Sequence, residues 1–305
     1  MPELRTVIGG RDDLSIDVSR CLRMRFSESG CRRCTASCPH GAVTLDSGLA
    51  INPDHCHGCL LCTAVCPTGA VEHCGNFYAG LVQLAKVPDP VLGCSRTSDC
   101  SHAQLSCLGG LSEEHLVALY HTLTGSLTIN LSLCGDCPNQ PMIPALHQRL
   151  DTIARAGLAS SDCRVVIAES AKDIYYRAES VDRRSFFTSC RDSLLKSAAV
   201  ILSTSEQTRR RTEYAGKRVP FRRELLNRTR IKLSQELRTQ VRKHFDSRIS
   251  FDEACARCQG CVAICPTGAL QTEAVDEAPA IDQERCTGCG VCREFCLDQA
   301  VQISN

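Results

Sequence analysis

Tryptophan is absent from this chain, and aromatic residues make up only 4% of its 305 residues. Large rings therefore cannot be the main filling of its cores. Long apolar runs are missing as well, and nothing approaches the ~18 apolar residues of a membrane span. The opening MPELRTVIGGRDDLSID has early acids and no apolar stretch, so it does not read as a secretory leader. A net charge of +1 excludes global polyelectrolyte behaviour. No G-x-G-x-x-G fingerprint, G-x-x-x-x-G-K-[ST] phosphate loop or H-E-x-x-H pair occurs, and no credible Ser-His-Asp set. Dinucleotide, nucleotide and hydrolytic chemistry thereby lose their usual signals. What the chain has in excess is cysteine, 24 residues. Without a leader, an oxidising compartment and a disulfide scaffold are not expected. Thiolates bound to metal in the cytoplasm fit better. Metal cross-links also replace core in small modules.

The cysteines recur in a repeat. Cys31, Cys34 and Cys38 precede PHGAV, and Cys56, Cys59, Cys62 and Cys66 precede PTGAV. Near the other end Cys255, Cys258, Cys261 and Cys265 precede PTGAL, and Cys286, Cys289, Cys292 and Cys296 precede LDQAV. The shared pattern is C-x2-C-x2-C-x3-C-P followed by a small turn and an apolar pair. A zinc knuckle pairs two C-x2-C units and has no use for a triple at this spacing. The proline removes an N–H and stops the short helix. The turn after it starts a short strand. Glycines in HGCLLC and TGCGVC sit where backbone must come close to sulfur.

This pattern resembles the bacterial two-[4Fe-4S] ferredoxin family, over about residues 18–74 and 250–303. The resemblance implies four [4Fe-4S] clusters with crossed ligation: three cysteines of one run, and the fourth cysteine of its neighbour. One cluster would take Cys56, Cys59, Cys62 and Cys38. Another would take Cys255, Cys258, Cys261 and Cys296, and its neighbour Cys286, Cys289, Cys292 and Cys265. Two departures stand out. Leu297 replaces the usual proline, which removes no ligand. Glu28 stands where the first motif should have its first cysteine, leaving Cys31, Cys34 and Cys66. Cys21 is the favoured fourth ligand. A three-iron cluster, or Glu28 as ligand, is the alternative.

The middle of the chain differs. PVLG before Cys94, AQLS before Cys107, SLTINLSL before Cys134 and RVVIAE at 164–169 read as strands. Residues 112–123, with Ser112 as N-cap, and 141–158, ending at Gly157, read as helices. Alternating strands and helices suggest a small parallel α/β layer. Ligands gather at the carboxyl ends of such strands. Cys94, Cys107, Cys134 and Cys137 stand at predicted strand ends. The arrangement resembles the small iron–sulfur subunit of methyl-viologen-reducing hydrogenase and heterodisulfide reductase complexes, without that family's paired cysteines near the start. It implies one further [2Fe-2S] or [4Fe-4S] cluster. Zinc or structural thiols are the alternatives. Cys74, Cys100, Cys163 and Cys190 have no spacing partner and read as packing. His55, His57, His73 and His102 lie near cysteines and read as neighbours of the motifs, not ligands.

Residues 207–248 hold 14 Lys or Arg against four Asp or Glu. Phe221, Leu225, Leu233, Leu237, Val241 and Phe245 form one stripe on a basic helix. This segment reads as a solvated connector, a docking face for an acidic redox partner, or a peripheral membrane contact. Nucleic acid is not expected as a partner, because few aromatics interleave the charges.

The expected fold is α+β. An N-terminal dicluster module (18–74) and a C-terminal one (250–305) flank a central α/β domain (75–200) and a basic helical connector (201–249). The expected function is a polyferredoxin-type subunit, not an enzyme by itself, passing single electrons inside a cytoplasmic oxidoreductase complex. The resemblances suggest a hydrogenase, a heterodisulfide-reductase-like flavoprotein, or a molybdenum or tungsten enzyme as partner. The alternative is a stand-alone iron–sulfur enzyme or redox sensor with an incompletely ligated first cluster.

Overall fold

The computed structural model describes residues 6–8, 11–177, 217–274 and 276–304. Cys190, the tail of the central segment and connector residues 201–216 lie outside them.

The chain opens with β1 (Thr6–Ile8) and β2 (Arg11–Ile16), an antiparallel pair. β2 also pairs with β5 (Val71–His73), the strand that follows the PTGA turn. Between them lie α1 (Leu22–Arg25), α2 (Arg33–Ala36), the antiparallel pair β3 (Val43–Thr44) and β4 (Ala50–Ile51), and α3 (Leu61–Val65). Each cysteine run thus makes one turn of helix and then a strand.

After α4 (Phe77–Leu84) comes a four-stranded parallel sheet. Its strands are β6 (Val91–Cys94), β7 (Ala103–Leu105), β8 (Gly125–Asn130) and β9 (Cys163–Ala168), in the order β7-β6-β8-β9. The parallel layer read from the sequence is present. α5 (Glu113–Thr122) starts at Ser112, whose hydroxyl accepts from the His115 N–H, and carries Glu113 and Glu114 in its first turn. α6 (Met142–Arg155) ends before Gly157, which has φ +66.

The basic connector departs from the expectation of one solvated helix. It forms α7 (Phe221–Arg230) and α8 (Gln235–Phe245). Ser234 caps the second helix by accepting from the Leu237 N–H at 3.2 Å. The four-residue spacing of apolar side chains hid that break. Nor are its charges all on the surface. Arg223 and Arg230 are buried and share the buried carboxylate of Asp246.

The second module contains β10 (Arg248–Phe251), α9 (Gly260–Ile264), β11 (Leu270–Gln271), β12 (Ala280–Ile281), α10 (Val291–Phe295) and β13 (Val301–Ser304). β10 pairs with β13 and β11 with β12, both antiparallel.

One continuous core runs from Leu14 and Ile51 through Leu60, Leu116 and Ile129 to Leu225 and Val241. It unites the first module, the central domain and the connector. A separate small core around Cys265, Leu270, Cys292 and Val301 holds the second module. Among the described residues no helix is long and apolar enough to cross a membrane.

Candidate metal centres

The cysteine loops share a backbone signature. In the second, third and fourth runs the residues just before and just after the second cysteine are left-handed: Gly58 and Leu60, Arg257 and Gln259, Gly288 and Gly290. Glycine takes this conformation freely, whereas Leu60, Arg257 and Gln259 hold it at a cost of about 1–2 kcal/mol each. The conformation therefore belongs to the loop and not to the residue type. Alternating handedness turns successive N–H groups to one side, a concavity suited to anions such as sulfide. The first run lacks it. Arg32 has φ −134 and leads directly into α2.

The thiols line a small number of cavities. Cys21, Cys31, Cys34 and Cys66 line one cavity, closed by Leu22, Leu45, Leu49 and Val71. Cys21 is only 8% exposed, at the start of α1, whereas Glu28 faces solvent. Cys38, Cys56, Cys59 and Cys62 line a second cavity with His40, His57 and Leu60. The two imidazoles meet edge-on with centroids 4.5 Å apart. In the C-terminal module Cys265, Cys286, Cys289 and Cys292 crowd one another, and Cys255, Cys258 and Cys261 form a neighbouring set. Cys261 and Cys296 pack against the same small core.

The central cysteines converge too. Cys94 ends β6, Cys107 follows β7, and Cys134 and Cys137 follow β8. All four line one cleft of about 510 Å³, with Arg96, Ser106 and Met142. His57 and Gly58 line the same cleft, so it abuts the Cys59 loop. Asn139 Nδ2 donates to the His57 carbonyl at 2.9 Å. Gly109 packs so closely on the Cys59 carbonyl that an added Cβ would lie 2.2 Å from that oxygen.

Burial dominates the electrostatics of these thiols. It pushes Cys34 and Cys134 up to about 11, with neighbouring thiols adding to it. Cys107, Cys289 and Cys292 are pushed up to about 12 by burial first. A ligand thiolate is an anion, so such sites favour a bound cationic metal over free thiolates. Among the described residues no three His, Cys, Asp or Glu side chains converge as ligands of one metal ion. The thiols stand around cavities instead, which fits a polynuclear cluster better than a zinc ion held at about 2.3 Å by each sulfur. Thr68 and Thr267 set a hydroxyl 3.7 and 3.6 Å from the sulfurs of Cys66 and Cys265. The Ala42 N–H donates to Cys38 Sγ at 3.3 Å.

Residues 29–70 and 248–297 each match a family described as a 4Fe-4S dicluster domain. Both ends of the chain carry a 4Fe-4S dicluster domain. Two such domains imply four [4Fe-4S] clusters. The chain is 37% identical over 59 residues to a component of the ion-translocating oxidoreductase complex of Methanosarcina acetivorans, covering 19% of this chain and 21% of that protein. It is 33% identical over 51 residues to the PorD component of pyruvate synthase from Methanothermobacter marburgensis, covering 17% of this chain and 57% of that protein. The chain thus spans about a fifth of the first relative and just over half of the second. No solved structure matches the chain significantly.

The other cysteines divide. Cys163 is buried as expected of a packing residue, but Cys74 is exposed. Cys100 accepts from Asn130 Nδ2 at 3.3 Å. His102 is structural, its Nδ1 accepting from the Val91 N–H at 2.9 Å. His73 sets its Nε2 3.3 Å from Ser106 Oγ. The motif reading missed the cations beside the sites. Arg222 donates to the carbonyls of Ala64 and Cys66, at 3.2 and 2.6 Å. Their one sequence signal is the connector's preference for Arg over Lys, since a planar fork suits several buried acceptors.

Proposed function

We propose that this chain is an electron-transfer subunit that carries single electrons through a row of iron–sulfur centres between redox partners of a larger complex. One observation carries the reading: its cysteine-lined cavities adjoin one another. The central cleft shares His57 and Gly58 with the second N-terminal cavity. That cavity adjoins the first where α3, which carries Cys62, packs against α2, which carries Cys34. The first reaches the C-terminal module through α1. Arg25 Nε donates to the Ile264 carbonyl at 3.0 Å, and Phe26 packs edge-on against Phe295 at 5.3 Å.

In this reading Cys21, Cys31, Cys34 and Cys66 hold the first cluster, and Cys38, Cys56, Cys59 and Cys62 the second. Cys265, Cys286, Cys289 and Cys292 hold a third, and Cys255, Cys258, Cys261 and Cys296 a fourth. Cys94, Cys107, Cys134 and Cys137 hold one further centre, with Arg96 at its rim. When bound, the clusters supply one-electron chemistry. An electron enters from a reduced redox partner and leaves to an oxidised one, with no bond made or broken in this chain. The protein's own residues bury the sulfurs, point N–H groups at them and hold neighbouring sites together. The exposed Cys258 makes the fourth site the natural contact for a partner. The relatives' names, an ion-translocating oxidoreductase complex and pyruvate synthase, support oxidoreductase subunits as partners.

A stand-alone enzyme or sensor would need an iron left open at the first site. Buried Cys21 in that cavity and solvent-facing Glu28 favour the relay. Iron and acid-labile sulfide on anaerobically purified protein test both points. Four cubanes give about 16 iron per chain, and a central centre raises this to about 18–20. A count of 16 with unchanged EPR in Cys94→Ala removes the central centre. Unchanged iron and spectra in Cys21→Ala sink Cys21 as a ligand.

A further inference from the structure

The first site and the Cys265 site meet across a seam rich in cations. Arg20 is fully buried, and donates to the Gly69 carbonyl at 3.2 Å and the Arg218 carbonyl at 2.8 Å. Arg25 donates to the carbonyl of Ile264, the residue before Cys265. Lys217 Nζ donates to the Val262 carbonyl at 2.7 Å. Arg222 grips the Cys66 carbonyl at 2.6 Å. Three carboxylates share this seam. Glu72 lies 3.3 Å from Arg20 and 3.1 Å from Arg218. Glu114 lies 3.1 Å from Arg222, and Glu294 Oε1 accepts from the Gly30 N–H at 3.4 Å. Arg285, which donates to the Thr267 carbonyl at 2.8 Å, and Asp17 near Arg20 border the same seam, and cations outnumber carboxylates along it.

Stability alone does not explain this arrangement. Burying cations costs desolvation, and apolar packing would fill the seam as well or better. Arg20 even leaves its Nε without a hydrogen-bond partner. Reduction offers a reason. Adding an electron to a cluster adds negative charge, which burial opposes and nearby cations favour. We infer that Arg20, Arg25, Lys217 and Arg222 form a belt that holds up the reduction potentials of the two inner centres, on Cys21, Cys31, Cys34 and Cys66 and on Cys265, Cys286, Cys289 and Cys292. The belt offsets the penalty that burial places on the reduced, more negative state of these two centres. This inference rests on the relay reading, and it assigns these cations a positioning and electrostatic role, not ligation.

The test is an EPR-monitored redox titration of the full, cluster-loaded chain. Signals lost in Cys34→Ser and Cys292→Ser identify the inner centres. Arg222→Gln and Arg25→Gln each make an inner centre harder to reduce, by up to about tenfold in the reduction equilibrium, which is 59 mV for one electron. Arg222→Lys stays close to the parent. Glu114→Gln moves the first centre the opposite way from Arg222→Gln. Those two changes break the same ion pair, so a purely structural role would shift both alike. Should Arg222→Gln lose iron, Arg25→Gln and Glu114→Gln decide the matter. Unchanged potentials, or equal shifts in Arg222→Gln and Glu114→Gln, overturn the belt. A parent chain that never loads the inner centres overturns the relay reading itself, and the belt with it.

Discussion

The two dicluster domains share a motif but not a setting. In the first, Cys21, Cys34, Cys59, Cys62 and Cys66 are all buried in a core continuous with the central domain and the connector. In the second, the core is small and separate, Cys258 is exposed and Leu297 is 96% exposed. Charge divides them as well. Residues 18–74 hold five basic and four acidic residues, whereas residues 249–305 hold three basic and nine acidic ones. The same cysteine spacing thus serves two jobs. One module is built into the body of the protein, and the other stands at its edge. The motif specifies where sulfur goes, and the surroundings decide what the centre can reach.

The largest test of this contrast is to remove one ligand from each module. Cys66→Ser should cost about four iron and also loosen the central domain, because its cavity wall is part of the shared core. Cys286→Ser should cost a similar amount of iron and leave the rest of the chain folded. Iron analysis with limited proteolysis reads both. Equal damage from the two would erase the distinction.

A second test cuts the joint between connector and C-terminal module. Asp246 neutralises Arg223 and Arg230, at 3.2 Å from the first and closer to the second, and all three are buried. Asp246→Asn leaves two buried guanidinium groups facing a neutral amide. The expected cost is about 3–5 kcal/mol, seen as a fall in the denaturant midpoint. The adjacent Ser247 touches the Gly288 loop, so the fourth cysteine run should lose iron first.

That joint was not legible in the sequence. Cysteine spacing revealed the four runs, and the strand-end positions of Cys94, Cys107 and Cys134 revealed the central set, because both are local patterns. The burial of Arg222, Arg223 and Arg230 is not local. Glu114 lies over a hundred residues from Arg222, and the carbonyl of Cys66 is farther still. A run of arginines therefore reads as surface until the fold supplies its acceptors. Likewise β1 and β2 were invisible, since RDDLSI becomes a strand by pairing with Val71–His73 on one side, and TVI by pairing with RDDLSI on the other. The split of the connector at Ser234 was masked by apolar residues that kept their spacing across the break.

A smaller effect should distinguish the two surfaces. Exposed Glu253 and Asp298 stand two residues from Cys255 and Cys296, and the carbonyl of exposed Glu277 accepts from the side chain of Gln259, next to exposed Cys258. Glu253→Lys with Asp298→Lys should slow electron transfer to a dicationic viologen at low salt, by a few-fold, and added salt should abolish the difference. Asp46→Lys with Asp54→Lys, the same charge change on the first module, should leave the rate alone. Equal slowing in both variants would show that net charge matters and the exposed site does not.

The smallest expected effect concerns Leu297. The residue before it, Cys296, has φ −75 and ψ 112, extended backbone. Cys66 and Cys265, which precede prolines, have ψ 114 and 116. Proline demands such a conformation of its predecessor. The turn is therefore already shaped for proline, and Leu297→Pro should raise stability by about 0.5 kcal/mol, through lost freedom of the unfolded chain. Nothing among the described residues then explains a leucine whose side chain lies almost wholly in water beside Cys296. If that leucine serves contact with a redox partner, Leu297→Pro should keep its full iron content and gain thermal stability, yet transfer electrons more slowly to the physiological acceptor. An unchanged rate would make the position a neutral substitution, and would shift the expected partner contact to Cys258 and the acidic residues near it.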